Sequence, residues 1–442
     1  MKKQLKHAGN MTLVIAALIL AVNLGGSFSG DISARESNSY EPLKLFADVL
    51  SVVQRNYVEE VDSKEAIYGA INGMLSSLDP HSSFMPPDSF REMQVETKGR
   101  FGGVGIEITM KEGILTVISP IEDTPAFRGG IKAEDVIVKI DGELTKGMTI
   151  MEAVKKMRGK KGTKVVLSIA RNSEKELLDF SIIRDIIKIR SVKYEVIDEN
   201  YGYIRVTQFQ EKTTDDFTSA LKKMEKQSGG LKGLILDLRN NPGGLLNQAV
   251  HMSDVFISSG LIVYTNGRLS SQKMEFVAKD DGTEPDYPVV VLVNAGSASA
   301  SEIVAGALQD TGRGVIVGTK TFGKGSVQTI LPLEDGSGIR ITTARYYTPS
   351  GRSIQAEGIL PDITVEFAAP VVSKKKSHAI REKDLKGHMF NGNAEKDNGK
   401  DKEEEKEKPV GIIDLQKDNQ AKTALILLKS WGIFKKGLVK SL

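Results

Sequence analysis

The sequence predicts a multidomain α+β protein with an α/β core, an inserted β-rich module, and helical segments at both ends. Three observations predict this architecture. Leu234 to Leu238 and Val289 to Val293 are largely apolar runs, as expected of strands buried on both faces, and helical stretches flank each of them. Between Gly99 and Arg171 short strands alternate with glycine-bearing turns. From Tyr40 to about Met93 apolar residues recur at the spacing of one helix face.

Residues 1–35 open with Lys2, Lys3 and Lys6, then an apolar run from Met11 to Val22 and a stretch of small residues to Gly30. That order is the pattern of an export signal. The run is shorter than the roughly 20 residues of a comfortable transmembrane helix, which favours cleavage over retention as an anchor. The expected location is therefore outside the cytoplasm, in the periplasm or on the extracytoplasmic face of a bacterial inner membrane. In residues 36–95, Leu43, Phe46, Val49, Leu50 and Val53 share one helix face. A second helix, Ser63 to Leu78, is stopped at Asp79-Pro80.

Residues 96–175 form the β-rich module. Phe101-Gly-Gly-Val-Gly-Ile-Glu-Ile108 reads as a glycine-rich loop leading into an alternating strand, with Ile114 to Ile118 as its neighbour. Ala126 to Gly142 supplies a short helix, a strand and an Asp-Gly turn, and the helix Ile150 to Met157 and the strand Lys164 to Ala170 complete the set. In the core, residues 176–370, the helix Thr214 to Gln227 closes at Gly229-Gly230 and precedes the first apolar run. The helix Leu245 to Val255 follows that run; Ser301 to Gln309 and the strand Gly314 to Gly318 follow the second. Residues 371–408 are dominated by Lys, Glu, Asp, Asn and Gly, the composition of a disordered, solvated linker. In residues 409–442, Asn419 to Leu428 and Trp431 to Val439 read as two amphipathic helical pieces, which dock on the body or on a second subunit.

Composition narrows the function. With 60 Lys and Arg against 57 Asp and Glu, the net charge of +3 is too weak to argue for nucleic acid, and no basic stripe interleaves with aromatics. The absence of cysteine excludes disulfides, thiolate metal sites and cysteine catalysis. No spacing of histidine with carboxylates suggests a metal centre, and no cofactor is expected.

Two small-residue segments carry the chemistry: Asn294-Ala-Gly-Ser-Ala-Ser-Ala-Ser-Glu302 and Thr321-Phe-Gly-Lys-Gly-Ser-Val-Gln328. A serine hydroxyl needs a base to take its proton, and a lysine serves if burial makes its neutral amine accessible. Together the segments read as a serine hydrolase that uses lysine in place of histidine. Spacing alone does not rank Ser297, Ser299 and Ser301. Gly318-Thr-Lys-Thr-Phe-Gly-Lys324 nearly spells a phosphate-binding loop, but Gly325 stands where a magnesium-binding Ser or Thr belongs and a strand follows. A histidine triad is disfavoured: His81 is beside a Pro-stopped turn, His251 lies within a helix, and His378 and His388 fall in the linker. A non-catalytic scaffold of the cell envelope is the remaining alternative.

Several motifs in a fixed order carry a resemblance. Leu78-Asp-Pro-His-Ser-Ser-Phe84, the β-rich module, Leu236-Asp-Leu-Arg-Asn-Asn-Pro-Gly-Gly244, and the serine and lysine segments resemble the carboxyl-terminal processing peptidases, or tail-specific proteases, over nearly the whole chain. The module itself resembles a PDZ domain, which binds protein C-termini. The resemblance implies a crotonase-like protease core, Ser299 as nucleophile, Lys324 as base, and Gln328 as the residue that orients the lysine. It places Asp310 where a third charge-relay member is sometimes grouped; a carboxylate close to Lys324 would favour the charged ammonium instead. Ser297 then becomes a helix-start residue and Ser301 a first-turn one.

Because Ser299 precedes a helix, the bare amide of Ala300 can help form an oxyanion hole, with a second donor from Gly243 or Gly244. The resemblance also implies a polypeptide substrate held by its C-terminal tail. Phe101, Gly102, Gly103 and Val104 would hold its carboxylate, and Ile106 and Ile108 would give the groove an apolar lining. Arg158, at the end of the module's helix, is expected to reach the protease body and couple tail binding to Lys324. The expected partners are such substrates, with room for a regulatory or adaptor protein, and a second copy in a homodimer built on the terminal helices.

Overall fold

Residues 40–368 and 412–440 are described by the structure, a computed structural model. The expected export signal and the charged linker lie outside the described residues. The chain divides after Met74 into two units. The first carries the helix α1, Tyr40–Asn56, and most of α2, Ser63–Ser76. None of the α1 residues is buried.

The second unit is built around a six-stranded sheet. Its strands are β10 (Val192–Ile197), β11 (Tyr201–Val206), β12 (Gly233–Asp237), β15 (Val289–Val293), β16 (Gly314–Gly318) and β19 (Ile363–Thr364), adjacent in that order. All are parallel to their neighbours except the β10 edge. Every residue of β12 and β15 is buried, because side chains alternate between two covered faces. Leu234, Leu236, Val289, Val291 and Val293 pack on one face with the helices α6 (Thr213–Ser228), α7 (Leu246–Asp254) and α8 (Ala300–Asp310). Ile235, Val290 and Leu292 pack on the other with α9, Asn419–Lys440. That C-terminal segment is one helix where two pieces were expected; Gly432, the natural place for a break, is in open space and is carried through.

A second, antiparallel sheet lies beside the first and was not foreseen. It joins β1 (Ser83–Met85), β18 (Gly338–Tyr347), β13 (Leu261–Gly267) and β14 (Met274–Val277), with β17 (Ser326–Pro332) also pairing with β18. Between β1 and the module runs α3, Pro87–Lys98, with Pro87 in its first turn and Gly99 in the left-handed conformation at its end.

The module's sheet runs β3 (Ile106–Lys111), β4 (Ile114–Pro120), β5 (Val136–Ile140), β7 (Lys164–Ala170) and β8 (Leu178–Ile183), with β6 (Glu143–Leu144) paired to β5. The helices α4 (Pro125–Arg128) and α5 (Ile150–Met157) complete it, and α5 begins with a capping box between Thr149 and Glu152. The expected glycine-rich loop is partly strand. Arg100–Gly103, β2, pairs antiparallel with Asp185–Lys188, β9. Gly102 allows the close approach of the turn after the helix Ile150–Met157, since a Cβ there would sit 2.0 Å from the Gly159 carbonyl oxygen.

Candidate active site

The buried β15 ends at Val293, and the chain turns sharply before α8. Ser297 Oγ donates to the Leu238 carbonyl at 2.8 Å, and Ser301 Oγ donates to the Asn241 carbonyl at 2.9 Å. Both serines therefore brace the turn against the loop after β12. Ser297 lies ahead of the helix and does not start it; that position belongs to Ser299. Ser299 has φ 58° and ψ −114°, a conformation costing a non-glycine residue about 1–3 kcal/mol. The surrounding bonds hold it there, with its hydroxyl at the helix N-terminus.

The strongest of those bonds come from Glu302, which is fully buried. One carboxylate oxygen accepts from the Ser299 amide at 2.7 Å and the Lys324 amide at 2.9 Å. The other accepts from the Thr321 hydroxyl at 2.6 Å and the Gly323 amide at 2.7 Å. A single carboxylate thus fastens the serine turn to the lysine loop. Sequence reasoning missed it, although the spacing Ser299-x-x-Glu302 is that of a capping box.

Lys324 is half-buried on that loop. Burial pushes its amine below the ordinary lysine range, and the Arg340 guanidinium pushes in the same direction, while Asp79 and Glu302 oppose it. The Tyr346 hydroxyl is 3.0 Å from Ser299 Oγ and 2.5 Å from the Lys324 carbonyl. The phenol is the donor in both contacts, so its one proton is shared between Ser299 Oγ and the Lys324 carbonyl. Among the described residues no hydrogen bond joins Ser299 Oγ to the Lys324 amine.

Gly243 packs its backbone against the serine; a Cβ there would lie 2.8 Å from Ser299 Cβ. Its amide, however, donates to Asn241 Oδ1 at 2.9 Å, which corrects its expected role as an oxyanion donor. The adjoining bridge to Phe209 uses the Gly243 carbonyl and the Leu245 amide and leaves the Gly244 amide out of the ladder. Ala300 is the first residue of α8, so its amide has no partner within the helix.

Two further expectations are corrected. Asp310 is the last residue of α8, about 16 Å along the helix axis from Ser299 at 1.5 Å per residue. There it pairs with Arg352 and accepts from the Ser350 amide at 2.9 Å, a stabilising role remote from the site. Gln328 faces the site cavity but does not bond to Lys324; its Nε2 donates to Ser326 Oγ at 2.9 Å and Thr342 Oγ1 at 3.4 Å. That cavity, about 490 Å³, brings Ser299, Ala300, Gly244, Gln328 and Tyr346 together with apolar Phe209, Leu245, Ile303 and Ile330. Among the described residues no group of three or more histidine and carboxylate side chains converges as a metal site would.

In the module, Val104 is buried, and Ile106 and Ile108 pack partly into the core with Ala153 and Met157 of α5. Phe101 lies under the Arg158 guanidinium, 4.4 Å from its centroid. The Ile189 amide bonds the Gly99 carbonyl, so alternation along the ladder engages the amides of Phe101 and Gly103 with β9 and removes them from the expected carboxylate-binding set. Arg158 does not reach the protease core. It pairs with Glu92 on α3, and Lys155 pairs with Asp88 of the same helix at 2.9 Å. Met93 and Thr97 of α3 line the site cavity.

A serine at a helix start and a half-buried lysine on a loop fastened to it by one buried carboxylate define a class, the serine-type peptidases. The profile of peptidase family S41 matches residues 200–365, a PDZ domain profile matches 102–182, and the profile named for the N-terminal domain of the activating protease CtpB matches 27–89. The chain is 47% identical over 387 residues to the carboxy-terminal-processing protease of Bartonella bacilliformis, covering 87% of this chain and 89% of that one. It is 39% identical over 377 residues to the carboxy-terminal processing protease CtpA of Bacillus subtilis, covering 83% and 78%. Among solved structures, the photosystem II D1 C-terminal processing protease is 31% identical, with a TM-score of 0.43, covering 73% of this chain and 92% of that one. The protein belongs to the carboxy-terminal processing proteases of peptidase family S41 and is a serine-type peptidase with a PDZ domain, not a scaffold.

Proposed function

We propose that the enzyme is an endopeptidase with a Ser299–Lys324 dyad that engages the C-terminal tails of exported polypeptides through its PDZ domain. The observation that carries this reading is the joint fastening of both backbones to buried Glu302, with a lysine whose neutral form is favoured by burial. The neutral amine takes the Ser299 proton as Oγ attacks the peptide carbonyl, and the protonated amine returns it to the leaving amine. Water then releases the acyl group with Lys324 as base again. The Ala300 and Gly244 amides receive the oxyanion, each such donor stabilising the transition state by about 3 kcal/mol. Since no hydrogen bond joins Ser299 Oγ to the Lys324 amine among the described residues, the reaction requires the lysine amine to swing to Oγ.

The tail adds as a strand beside β3, with Ile106 and Ile108 offering apolar surface. Export rests on the first 35 residues. A homodimer is supported by α1, whose Leu43, Phe46, Val49 and Val53 are exposed on one face. The test is cleavage of an unfolded protein ending in an apolar tail, compared with the same protein carrying an amidated C-terminus. Wild type is expected to cleave the free tail faster, and folded Ser299→Ala and Lys324→Ala variants not at all. Cleavage by either variant would move the chemistry elsewhere, and equal rates on both substrates would remove the tail-binding step.

A further inference from the structure

The segment Leu78-Asp-Pro-His-Ser-Ser-Phe84 leads into β1, which pairs with the start of β18. Asp79 Oδ1 accepts from the His81 and Ser82 amides, both at 2.8 Å, and Oδ2 accepts from Ser82 Oγ at 2.8 Å. Ser82 Oγ has spent its proton on the carboxylate, so it can accept, and it does so from the Thr342 amide at 3.2 Å. Thr342 belongs to β18 at the one irregularity in its pairing with β17. Val327 stands opposite Ala344 while Gln328 stands opposite Thr342, so Thr343 is an extra residue, a bulge.

Bulges beside active sites re-aim side chains. The Leu333 amide bonds the Ser337 carbonyl, so Ile341 and Ile339 are the residues bonded to β17. The Thr342 amide points to the other edge of β18, where Ser82 satisfies it beyond the end of β1, while Gln328 across from Thr342 lines the cavity that holds Ser299. The neighbouring pair Ser83 and Arg340 is also tied, Nη2 donating to Ser83 Oγ at 3.1 Å in the β1–β18 ladder. Burial raises the Asp79 carboxyl, but the bonds from Ser82, His81 and Thr342 outweigh this and hold it below the ordinary carboxylate range.

We infer that Asp79 is a positioning residue for the peptidase reaction: through Ser82 it holds the β17–β18 bulge at Thr342 and so sets Gln328 in the catalytic cavity. The inference rests on the reading that this cavity is the active site. Its second consequence is electrostatic. The charged and titratable groups acting on the Lys324 amine are Arg340 on β18, Asp79 and His81 in the turn, and Glu302 on α8. Asp79 opposes the depression of the lysine, so removing its charge moves the amine's titration to lower pH.

The test uses the full enzyme and the unfolded, apolar-tailed substrate. Asp79→Asn keeps an oxygen for the two turn amides but cannot accept from the Ser82 hydroxyl; Ser82→Ala removes the hydroxyl and keeps the charge. Both are expected to lose kcat by about ten- to a hundredfold, as small misplacements near a site do, with KM little changed. Only Asp79→Asn is expected to move the rising limb of the kcat–pH profile to lower pH. Added to Gln328→Ala, Asp79→Asn is expected to cost nothing further in kcat.

Wild-type kcat in Asp79→Asn and Ser82→Ala would overturn the inference, whether or not melting temperature falls, and so would losses that multiply in the double variant. If Asp79→Asn does not fold, Ser82→Ala and its combination with Gln328→Ala decide alone. Cleavage by Ser299→Ala or Lys324→Ala would instead sink the active-site reading itself, whatever the turn variants do.

Discussion

Replacing Glu302 by Gln tests the fastening of serine to lysine with a change of two atoms' chemistry and almost no change of shape. The carboxylate accepts four hydrogen bonds, two on each oxygen. Glutamine offers one oxygen, and its amide group must face two donors in either orientation. The cheaper orientation keeps the Ser299 and Lys324 amides, because the Thr321 hydroxyl can turn away and the Gly323 amide cannot. Losing two bonds to a buried charge and leaving a donor unpaired costs about 1–3 kcal/mol each, or about 2–6 kcal/mol in all. If half of that loss falls on the transition state, kcat/KM drops by about five- to 160-fold at 1.36 kcal/mol per decade. Peptide cleavage gives the rate and calorimetry of the peptidase core gives the stability. Undiminished rate with undiminished stability would show that the clamp is not what holds the two segments together.

Other consequences concern charge. If neutral Lys324 is the base, kcat rises with pH through a midpoint below the ordinary lysine value of 10.5, and Arg340→Gln moves that midpoint up, because it removes a cation that disfavours the ammonium; a flat profile would contradict this. Asp310→Asn should leave kcat near wild type, and stability should fall only where the native carboxylate is ionised. Its carboxyl titrates below 3.8 in the fold, so its contribution is present above that pH and is lost as pH drops through the depressed value. Acid unfolding curves of the two proteins check the sign. Asp418→Ala removes one partner of nearly buried Arg239, which also holds Asp237 and Gln420, and should loosen α9 by about 3 kcal/mol, read as faster amide exchange in that helix.

What could be read in advance follows the range of the interactions. Val289–Val293 announces a doubly covered strand within five residues, and Ser299 announces a helix start within four. The antiparallel sheet has no such local signature. Ser83 and Arg340 are neighbours across 257 positions, and β1 is only three residues long. The Gln328 bulge depends on a residue inserted in the opposite strand, so no pattern in Gly-Lys-Gly-Ser-Val-Gln reveals that its amide turns to Ser326 and Thr342 instead of Lys324. Gly243 misled for a related reason. Asn-Pro-Gly-Gly announces exposed backbone, but which amide is spent on Asn241 is decided by the turn itself.

The placement of Glu302 limits how the site can change state. It holds the amides of Ser299, Gly323 and Lys324 at once, and Phe322 adds a bond from its amide to the Ser297 carbonyl at 3.0 Å. The two backbones therefore cannot slide apart without breaking several buried bonds to a charge, each about 1.5–3 kcal/mol. The lysine side chain is under no such restraint. Its amine is held by desolvation and by the fields of Arg340, Asp79 and Glu302, and side-chain torsions exchange far faster than loops move. On the proposed mechanism, the approach of the Lys324 amine to Ser299 Oγ is then a rotamer change on a rigid frame. A substrate that fills the cavity and displaces water favours it, because a drier site penalises the ammonium more and leaves the neutral amine as the form that reaches Oγ.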